Sequence, residues 1–254
     1  MEHPMHLDRL VSVLEAVALA GRPLSAAELH EMTQLPLPTC YRQLQMLKEQ
    51  QLLNDPDSNS RYVIGDRLIR LVQLAKTDAD VCSIAAPILQ DASGKFGESV
   101  FLSRFRKKGV TIIQVETPSD PALSYIHPGL GYRPMHACSC SKAIAAFSDD
   151  SFRSLLLKGP MKAYTEKTST KRSDLEKEFT SIRKHGFAEC VEEIEVGVSS
   201  VAAPISLQQA GTIFSVGAIG PIRRFNKTHR REIGKQLIQV ASDIGSSIDF
   251  SARN

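Results

Sequence analysis

Apolar side chains recur at a helical interval in the first part of the chain. Between Leu7 and Ala18 they follow an i, i+3, i+4, i+7 pattern, which predicts an amphipathic helix. Gly21 is expected to end this helix, because glycine adopts the left-handed cap conformation without steric cost. Ser25 and Glu28 have the spacing of a capping box, which predicts the start of a second helix. The buried stripe expected for that helix contains Leu29, Met32 and Leu35.

The stretch LPLPTCYRQLQMLKEQQLL (35–53) begins as a turn and continues as a helix. Pro36 and Pro38 stop the preceding helix, and a third helix is predicted from about Pro38 to Gln50. A short strand, a polar turn (54–59) and a return strand (61–64) should follow. Three helices and a small hairpin in this order predict a winged helix-turn-helix domain. The inner stripe of its third helix is expected to contain Cys40, Leu44 and Leu47.

The outer side of the third helix is rich in hydrogen-bond donors. A helix that enters the major groove of DNA needs an apolar back for its own domain and donors in front for base edges and phosphates. Two alternatives to DNA binding remain. The winged helix could be used only for protein contacts, or the outer side of the third helix could simply face solvent. The residues expected to contact double-stranded DNA, in a two-fold or pseudo-palindromic operator, are Ser25, Pro38, Thr39, Tyr41, Arg42, Gln43, Gln45, Lys48 and Arg61.

Beyond a connecting helix the pattern changes to strands. Residues 98–105 and 110–118 predict one antiparallel hairpin, and residues 199–207 and 212–220 predict another. Helices are predicted at about 84–96, 141–147, 150–157, 174–185 and 228–249, with a capping box from Ser173 to Glu176. An antiparallel sheet with flanking helices indicates an α+β fold. The expected domains are 1–65 (winged helix-turn-helix), 66–80 (linker helix) and 81–254.

Composition narrows these expectations modestly. The chain of 254 residues is long enough for two compact domains, and its net charge of +3 neither requires nor excludes a polyanionic partner. No secretory signal or membrane-spanning run is visible, so the cytoplasm is the expected location. The five cysteines predict reduced thiols rather than disulfides, and no metal or cofactor is expected. His136, Cys138 and Cys140 alternate, so on a strand they would share a face.

The chain resembles the IclR family of transcriptional regulators over nearly its whole length. The resemblance rests on LPLPTCYRQLQML and YVIGDRLIRL in the first part. It continues in RPMHACSCSKAIAA (133–146), KHGFAECVEEIEVGVSSVAAPI (184–205) and GAIGPIRRF (217–225). It implies a C-terminal effector-binding domain of GAF/profilin-like fold with an antiparallel sheet. It also implies a homodimer formed through the N-terminal domains, and a homotetramer as a dimer of dimers.

The resemblance also implies where an effector would bind. The family's pocket loop falls on Cys138 to Lys142, and its usual glycine is Ser141 here. The family's carboxylate, its pocket cysteine and its two last-strand serines fall on Cys190, Ser200, Gly217 and Ile219. Fewer polar partners and extra room at Gly217 favour a larger, flatter effector with an apolar body, such as an aromatic acid. The effector-binding candidates are Arg133, His136, Cys138, Ser139, Cys140, Ser141, Lys142, Cys190, Ser200, Gly217 and Ile219.

These features favour a DNA-binding regulator that responds to a ligand. We expect a repressor rather than an activator of a catabolic operon, with a small organic or aromatic acid as its effector. An enzyme is not expected, because GxSxG, HExxH, CxxC and phosphate-binding glycine loops are all absent from the sequence. Two alternatives stay open. One is a DNA-binding oligomeric scaffold without a small-molecule ligand, and the other is a cysteine- or metal-dependent enzyme of the C-terminal domain.

Overall fold

The computed structural model describes residues 6–106, 109–120, 125–148 and 150–250, which divide into two compact units. The first unit ends at Ala75 and the second begins at Lys76. The elements of the first unit are α1 (His6–Ala20), α2 (Ala26–Thr33), α3 (Leu37–Glu49), β1 (Leu53–Asn54), β2 (Val63–Ile64) and α4 (Asp66–Ala75).

The first unit is a winged helix-turn-helix, as the sequence predicts. Gly21 follows α1 with a positive φ of 61°, and the capping box of Ser25 and Glu28 starts α2. Strands β1 and β2 pair antiparallel, and a bridge between Leu24 and Tyr62 adds a third edge to the wing. The three helices and the wing enclose one core, which contains Val13, Ala16, Val17, Leu24, Ala26, Leu29, Cys40, Leu44, Leu47, Leu53 and Tyr62.

Two details of this unit differ from the prediction. Met32 is 49% exposed, and Leu29 is the one residue of the expected stripe that is fully buried. Helix α3 begins at Leu37 with Pro36 as its N-cap, so Pro38 occupies its second position rather than its first.

Helix α4 turns an apolar face to solvent. Leu71, Val72 and Leu74 are 52%, 49% and 43% exposed, while the polar side chain of Gln73 is buried. Three exposed apolar residues thus lie close together on the surface of this helix.

The second unit is built on a six-stranded sheet in the order β5-β4-β3-β8-β7-β6, with every neighbouring pair antiparallel. Among the described residues, none of the helices is both long and apolar enough for a bilayer. The elements are α5 (Asp78–Phe96), β3 (Ser99–Arg106), β4 (Gly109–Glu116), β5 (Gly131–Tyr132), α6 (Ser139–Phe147), α7 (Asp150–Lys158), α8 (Arg172–His185), β6 (Ala188–Val191), β7 (Val198–Leu207), β8 (Gly211–Pro221) and α9 (Lys227–Phe250).

The two faces of the sheet bury different sets of side chains. Because side chains alternate along a strand, Val100 and Leu102 of β3 face α5 and α9, while Phe101 faces α6 and α8. The core against α5 and α9 is apolar and continues along α9 through Ile233, Leu237, Ile244 and Ile248. The opposite face carries the polar residues Ser103 and Ser215, whose hydroxyl oxygens lie 2.6 Å apart.

Two predicted helix starts in this unit are wrong. Helix α5 begins at Asp78 rather than near residue 84, because Thr77 and Asp80 form a capping box. The capping box predicted from Ser173 does not form, since the N-cap of α8 is Lys171 and Ser173 lies inside the first turn.

A buried cluster of three charges fixes α6. The ammonium group of Lys142 is fully buried and lies 2.6 Å from a carboxylate oxygen of Glu178 and 2.7 Å from one of Glu193. Burial by itself lowers the pKa of Lys142, but the two carboxylates outweigh it and raise that pKa. Burial raises the pKa of Glu193, which is partly offset by Lys142. The cluster therefore links α6 to α8 and to the segment after β6.

Replacement of the buried ammonium should destabilise the fold. We expect Lys142→Met to lower the free energy of unfolding by about 3–5 kcal/mol near neutral pH, because it leaves Glu193 buried without a countercharge. Denaturant unfolding monitored by circular dichroism measures this change. Lys177→Met, at an ion pair on the surface of α8, is the matched control, and Lys142→Met with Glu193→Gln should recover part of the loss.

The loss of stability caused by Lys142→Met should be smaller in mild acid. A carboxyl whose folded pKa lies above its unfolded pKa stabilises the fold at low pH and loses that contribution as the pH rises through the folded pKa. Removal of Lys142 raises the pKa of Glu193 further, since the ammonium group lowers it. The difference between variant and wild type should therefore be smaller at about pH 5.5 than at about pH 8. An equal deficit at both pH values would contradict this account.

Candidate functional site

The outer side of α3 forms an exposed polar surface. Pro38, Tyr41, Arg42 and Gln45 are exposed, and Thr39 is half-buried. The apolar back of the helix, with Cys40, Leu44 and Leu47, is buried against α1, α2 and the wing. The helix thus has the amphipathic arrangement expected of a helix that enters a DNA groove.

Gln43 does not belong to this surface, which corrects the prediction. Its side chain is fully buried, and neither its amide nitrogen nor its oxygen has a hydrogen-bond partner among the described residues. The reason is position: Gln43 lies three residues after Cys40 and four before Leu47, so it falls on the inner stripe of the helix. Its partner-free amide cannot reach a base edge without leaving the core.

Three other candidates contact the protein itself. The first candidate, Ser25, donates its backbone N–H and its hydroxyl to the carboxylate of Glu28. That carboxylate also accepts from Arg22, and these contacts lower the pKa of Glu28 to about 2. Arg61 also donates to Glu28, at 3.4 Å, and so ties the wing to the start of α2. Lys48 lies 3.2 Å from Asp55 at the base of the wing. Lys48 and Arg61 keep exposed side-chain surface, so both can still contact DNA phosphates.

A cavity of about 130 Å³ lies in the second unit, on the sheet face that packs against α6. Its floor is the sheet, one end is the start of α6, and its rim consists of residues 126–133 and 194–198. The walls are mostly apolar. The lining residues are Phe101, Ile112, Ile126, His127, Pro128, Arg133, Cys138, Cys190, Ile194, Glu195, Val198, Ser199, Ser200 and Ile219.

The N-terminus of α6 begins at this cavity. Cys138 is the N-cap and lines the cavity, and within the described part of the chain no side chain caps this helix. The N–H groups of a first helical turn lack intrahelical acceptors and carry a partial positive charge, so they favour an anion.

Arg133 is the basic residue of the cavity wall. Its Nη2 donates to the carbonyl oxygens of Pro128 and Gly129, which holds the rim segment in place. Its Nε is buried and has no hydrogen-bond partner among the residues described. The Cys190 thiol stays neutral, because burial raises its pKa to about 12.

Five of the expected effector contacts line the cavity, namely Arg133, Cys138, Cys190, Ser200 and Ile219. The others do not. His136 lies in a turn, and its Nε2 is 2.9 Å from the carbonyl oxygen of Lys162. Ser139 is in α6 and forms a hydrogen bond with Ser200. Cys140 and Ser141 are buried inside α6, and Lys142 belongs to the charge cluster. Gly217 is also not among the residues that line the cavity.

The extra room expected at Gly217 does not exist. A Cβ atom there would lie 2.4 Å from Cζ of Phe101 and 2.6 Å from the carbonyl oxygen of Val201. Phe101 and Gly217 are opposite each other in the β3–β8 register, so the ring of Phe101 covers the glycine. The cavity is therefore narrower and more apolar than the sequence suggests. Phe101 was missed as a lining residue, although the alternation along β3 could have placed it on this face.

Two adjacent glutamates after β6, Glu192 and Glu193, have structural partners. Glu192 pairs with Lys167 and accepts from the N–H of Gly197, while Glu193 belongs to the charge cluster. Cys138 and Cys140 do not lie on a strand, since both belong to the start of α6. Within the described ranges, histidine, cysteine, aspartate and glutamate side chains form no group that could hold a metal ion.

Comparison with known protein families identifies both units. The family model described as "Bacterial transcriptional regulator IclR C-terminal" matches residues 73–246, and the "IclR helix-turn-helix domain" model matches residues 6–55. Relatives align over almost the whole chain. The glycerol operon regulatory protein of Streptomyces coelicolor is 26% identical over 245 residues, 95% of this chain and 94% of that protein. The transcriptional repressor IclR of Escherichia coli is 25% identical over 242 residues, 94% and 88% of the two chains.

Solved structures share the fold. The IclR structure of Thermotoga maritima has a TM-score of 0.61 at 23% identity and covers 97% of this chain and 100% of that chain. An IclR homologue from Microbacterium hydrocarbonoxydans, solved in complex with 4-hydroxybenzoate, has a TM-score of 0.59 at 20% identity and covers 95% and 98% of the two chains.

The close contact at Gly217 should make that position intolerant of side chains. We expect Gly217→Ser to lower the free energy of unfolding by about 1–3 kcal/mol, since its Cβ would overlap the Phe101 ring and the Val201 carbonyl. Phe101→Leu in the same chain should recover part of this loss. Gly94→Ser is the matched control, because that helical glycine has open space around its Cβ position. Unfolding in denaturant measures all four proteins, and an unchanged stability of Gly217→Ser would refute the overlap.

Proposed function

The chain belongs to the IclR family of bacterial transcriptional regulators, and from this premise we propose that it is a repressor controlled by a monocyclic aromatic carboxylate. The observation that carries the proposal is the small apolar cavity with Arg133 in its wall and the start of α6 at its end. An effector bound there would change the affinity of the N-terminal domains for an operator.

The size of the cavity supports a ligand with a single ring. Its volume of about 130 Å³ is close to that of an engineered apolar cavity of about 150 Å³ that binds benzene. Phe101, Ile112 and Ile219 offer a flat aromatic body apolar contact on the sheet side. A ligand as small and polar as glyoxylate would leave these walls uncovered and would find few hydrogen-bond partners for its oxygens.

The carboxylate of such a ligand needs compensation for the water that it loses. Two groups at the cavity suit it: the guanidinium of Arg133, which keeps its Nε–H unpaired within the described structure, and the first turn of α6. Ser200 is a further partner, because its hydroxyl already contacts Ser139 at 2.8 Å and can reorient toward a ligand. Glu195 and His127 stand at the exposed rim, where they can bond a ring substituent.

The named relatives support the finer parts of the proposal. The Microbacterium homologue was solved with 4-hydroxybenzoate, which is a monocyclic aromatic carboxylate. The matched relatives from Escherichia coli and Salmonella typhimurium are named repressors, the latter of the acetate operon. We therefore propose repression of a catabolic operon in the cytoplasm.

Self-association is part of the same proposal. The apolar face of α4, with Leu71, Val72 and Leu74, and the exposed Leu7, Val11 and Leu19 of α1 suit contact with a second copy. A homodimer presents two α3 helices to a two-fold operator, and a tetramer would pair two such dimers. The effector then acts by favouring one arrangement of the paired helices over another.

Arg42 should be a main determinant of operator recognition. We expect Arg42→Ala to weaken operator binding by about 1–3 kcal/mol and to relax selectivity at one base pair, because a guanidinium can bond both O6 and N7 of guanine. The operator can be obtained by sequencing genomic fragments that the full-length protein retains. Fluorescence anisotropy then measures the affinity of each variant.

Two variants serve as controls for Arg42. Arg172→Ala removes an exposed arginine of the C-terminal unit and should leave operator affinity unchanged. Gln43→Met should also leave it unchanged, since that side chain is buried. Equal affinity of wild type and Arg42→Ala would remove α3 from the proposed interface.

Titration calorimetry tests the effector class directly. We expect heat of binding with benzoate or 4-hydroxybenzoate and none with glyoxylate or pyruvate. Arg133→Gln should weaken aromatic acid binding by about tenfold to a hundredfold, the value of one charge-assisted hydrogen bond. Arg172→Gln is the matched control. Heat with glyoxylate or pyruvate alone would overturn the assignment.

A further inference from the structure

Cys138 and Cys140 place two sulfur atoms unusually close together at the start of α6. Their Sγ atoms are 3.0 Å apart, and both residues are almost completely buried. Cys138 is the N-cap of α6, with φ −83° and ψ 137°, and Cys140 lies in the first turn of that helix. A disulfide requires an S–S separation of about 2.05 Å, so closure needs a shift of roughly 1 Å.

Only one of the two thiols borders the cavity. Cys138 lines it, together with Cys190, whereas Cys140 lies behind Cys138 in the helix with no exposed surface. A small neutral molecule that enters the cavity therefore meets Cys138 first. Cys140 is then the only other cysteine within hydrogen-bond distance of Cys138 in the described structure.

We propose that Cys138 and Cys140 are a redox pair that a hydroperoxide converts to an intramolecular disulfide, and that this disulfide weakens effector binding in the adjoining cavity. The second part rests on the proposed function, whereas the first does not. No metal or cofactor is involved, and the oxidant is the hydroperoxide itself.

The reaction balances with one peroxide per pair. The pair loses one proton to solvent, and the remaining proton moves from Cys138 to Cys140 along the hydrogen bond between them. The Cys138 thiolate attacks the nearer peroxide oxygen, so the O–O bond breaks and a sulfenic acid forms. The leaving oxygen takes up a proton as water or an alcohol. The Cys140 sulfur then attacks the sulfenic sulfur, the S–S bond forms and the S–OH bond breaks, and hydroxide leaves with the Cys140 proton as water. Two electrons pass from the two sulfurs to the peroxide.

The hydrogen bond between the two thiols shifts their pKa values in opposite directions. The hydrogen bond with Cys140 raises the pKa of Cys138. Burial acts to raise the pKa of Cys140, but the hydrogen bonds from Cys138, Ser141 and Ser103 and the nearby charge of Arg133 together outweigh it and lower that pKa below its ordinary value. The pair thus gives up its first proton more readily than an isolated buried thiol would, and the remaining proton can move between the sulfurs.

Disulfide formation would alter the cavity end where we place the effector carboxylate. It draws the Cys138 sulfur away from the wall and shifts the first turn of α6, whose N–H groups would bond the carboxylate. Loss of one hydrogen bond corresponds to about tenfold weaker binding. The operator-binding form would then persist in the presence of effector.

Mass spectrometry tests the disulfide in the full-length protein. The reduced protein is treated with hydrogen peroxide, unfolded, alkylated with iodoacetamide and digested. We expect the peptide with both cysteines to lose two hydrogens and to escape alkylation at both sulfurs, and dithiothreitol to reverse this. Cys190→Ser, which removes the other cavity thiol, should behave like wild type, whereas Cys138→Ser and Cys140→Ser should form no such peptide.

Several outcomes would overturn the redox pair. It falls if both thiols stay open to alkylation, if only sulfinic or sulfonic acid forms, or if Cys138 pairs with Cys190 instead. Calorimetry with 4-hydroxybenzoate then tests coupling: oxidised wild type should bind about tenfold more weakly than reduced, and Cys138→Ser should not respond to peroxide. Equal affinity of both redox forms overturns the coupling. If reduced protein binds no aromatic acid, the proposed effector is wrong, while the mass measurement still decides the redox pair.

Discussion

The C-terminal unit depends on the fully buried ammonium group of Lys142. A single charge is costly to bury, and it is tolerated here because Glu178 and Glu193 each contact it at hydrogen-bond distance. These contacts hold α6 to α8 and to the segment that follows β6. The same segment supplies Ile194 and Glu195 to the cavity, and α6 supplies Cys138. One charge cluster therefore fixes two walls of the cavity without being part of its surface.

The two faces of the sheet divide structure from chemistry. The face against α5 and α9 is packed with apolar side chains, and this core provides the rigidity of the unit. The opposite face carries hydroxyl and thiol groups near a helix N-terminus, and here the packing leaves a cavity. In the N-terminal unit, the corresponding division is between the buried back and the exposed front of α3. In both units the polar groups lie on one side of an element, and a hydrophobic core holds the other side.

The sequence predicts elements well here, because their signals are local. Helical periodicity, the Ser25 capping box and the two long hairpins all depend on neighbouring residues. Gln43 was placed on the wrong side of α3 because its polar side chain was given more weight than its spacing from Cys40 and Leu47, which already puts it on the inner stripe. The space beside Gly217 is filled by Phe101, from a strand far away in sequence. Five of the residues taken from the family resemblance line the cavity, but the resemblance could not tell which side chains of α6 lie outside it.

The outward apolar face of α4 has a consequence for gene control. If a second copy covers Leu71, Val72 and Leu74, the folded state is coupled to assembly and so to the amount of protein in the cell. In the range where dimers dissociate, the occupancy of a two-fold DNA site rises with the square of the chain concentration. A modest fall in abundance would then release the operator more sharply than a monomeric regulator could. Expression level would thus act as a second input beside the small molecule.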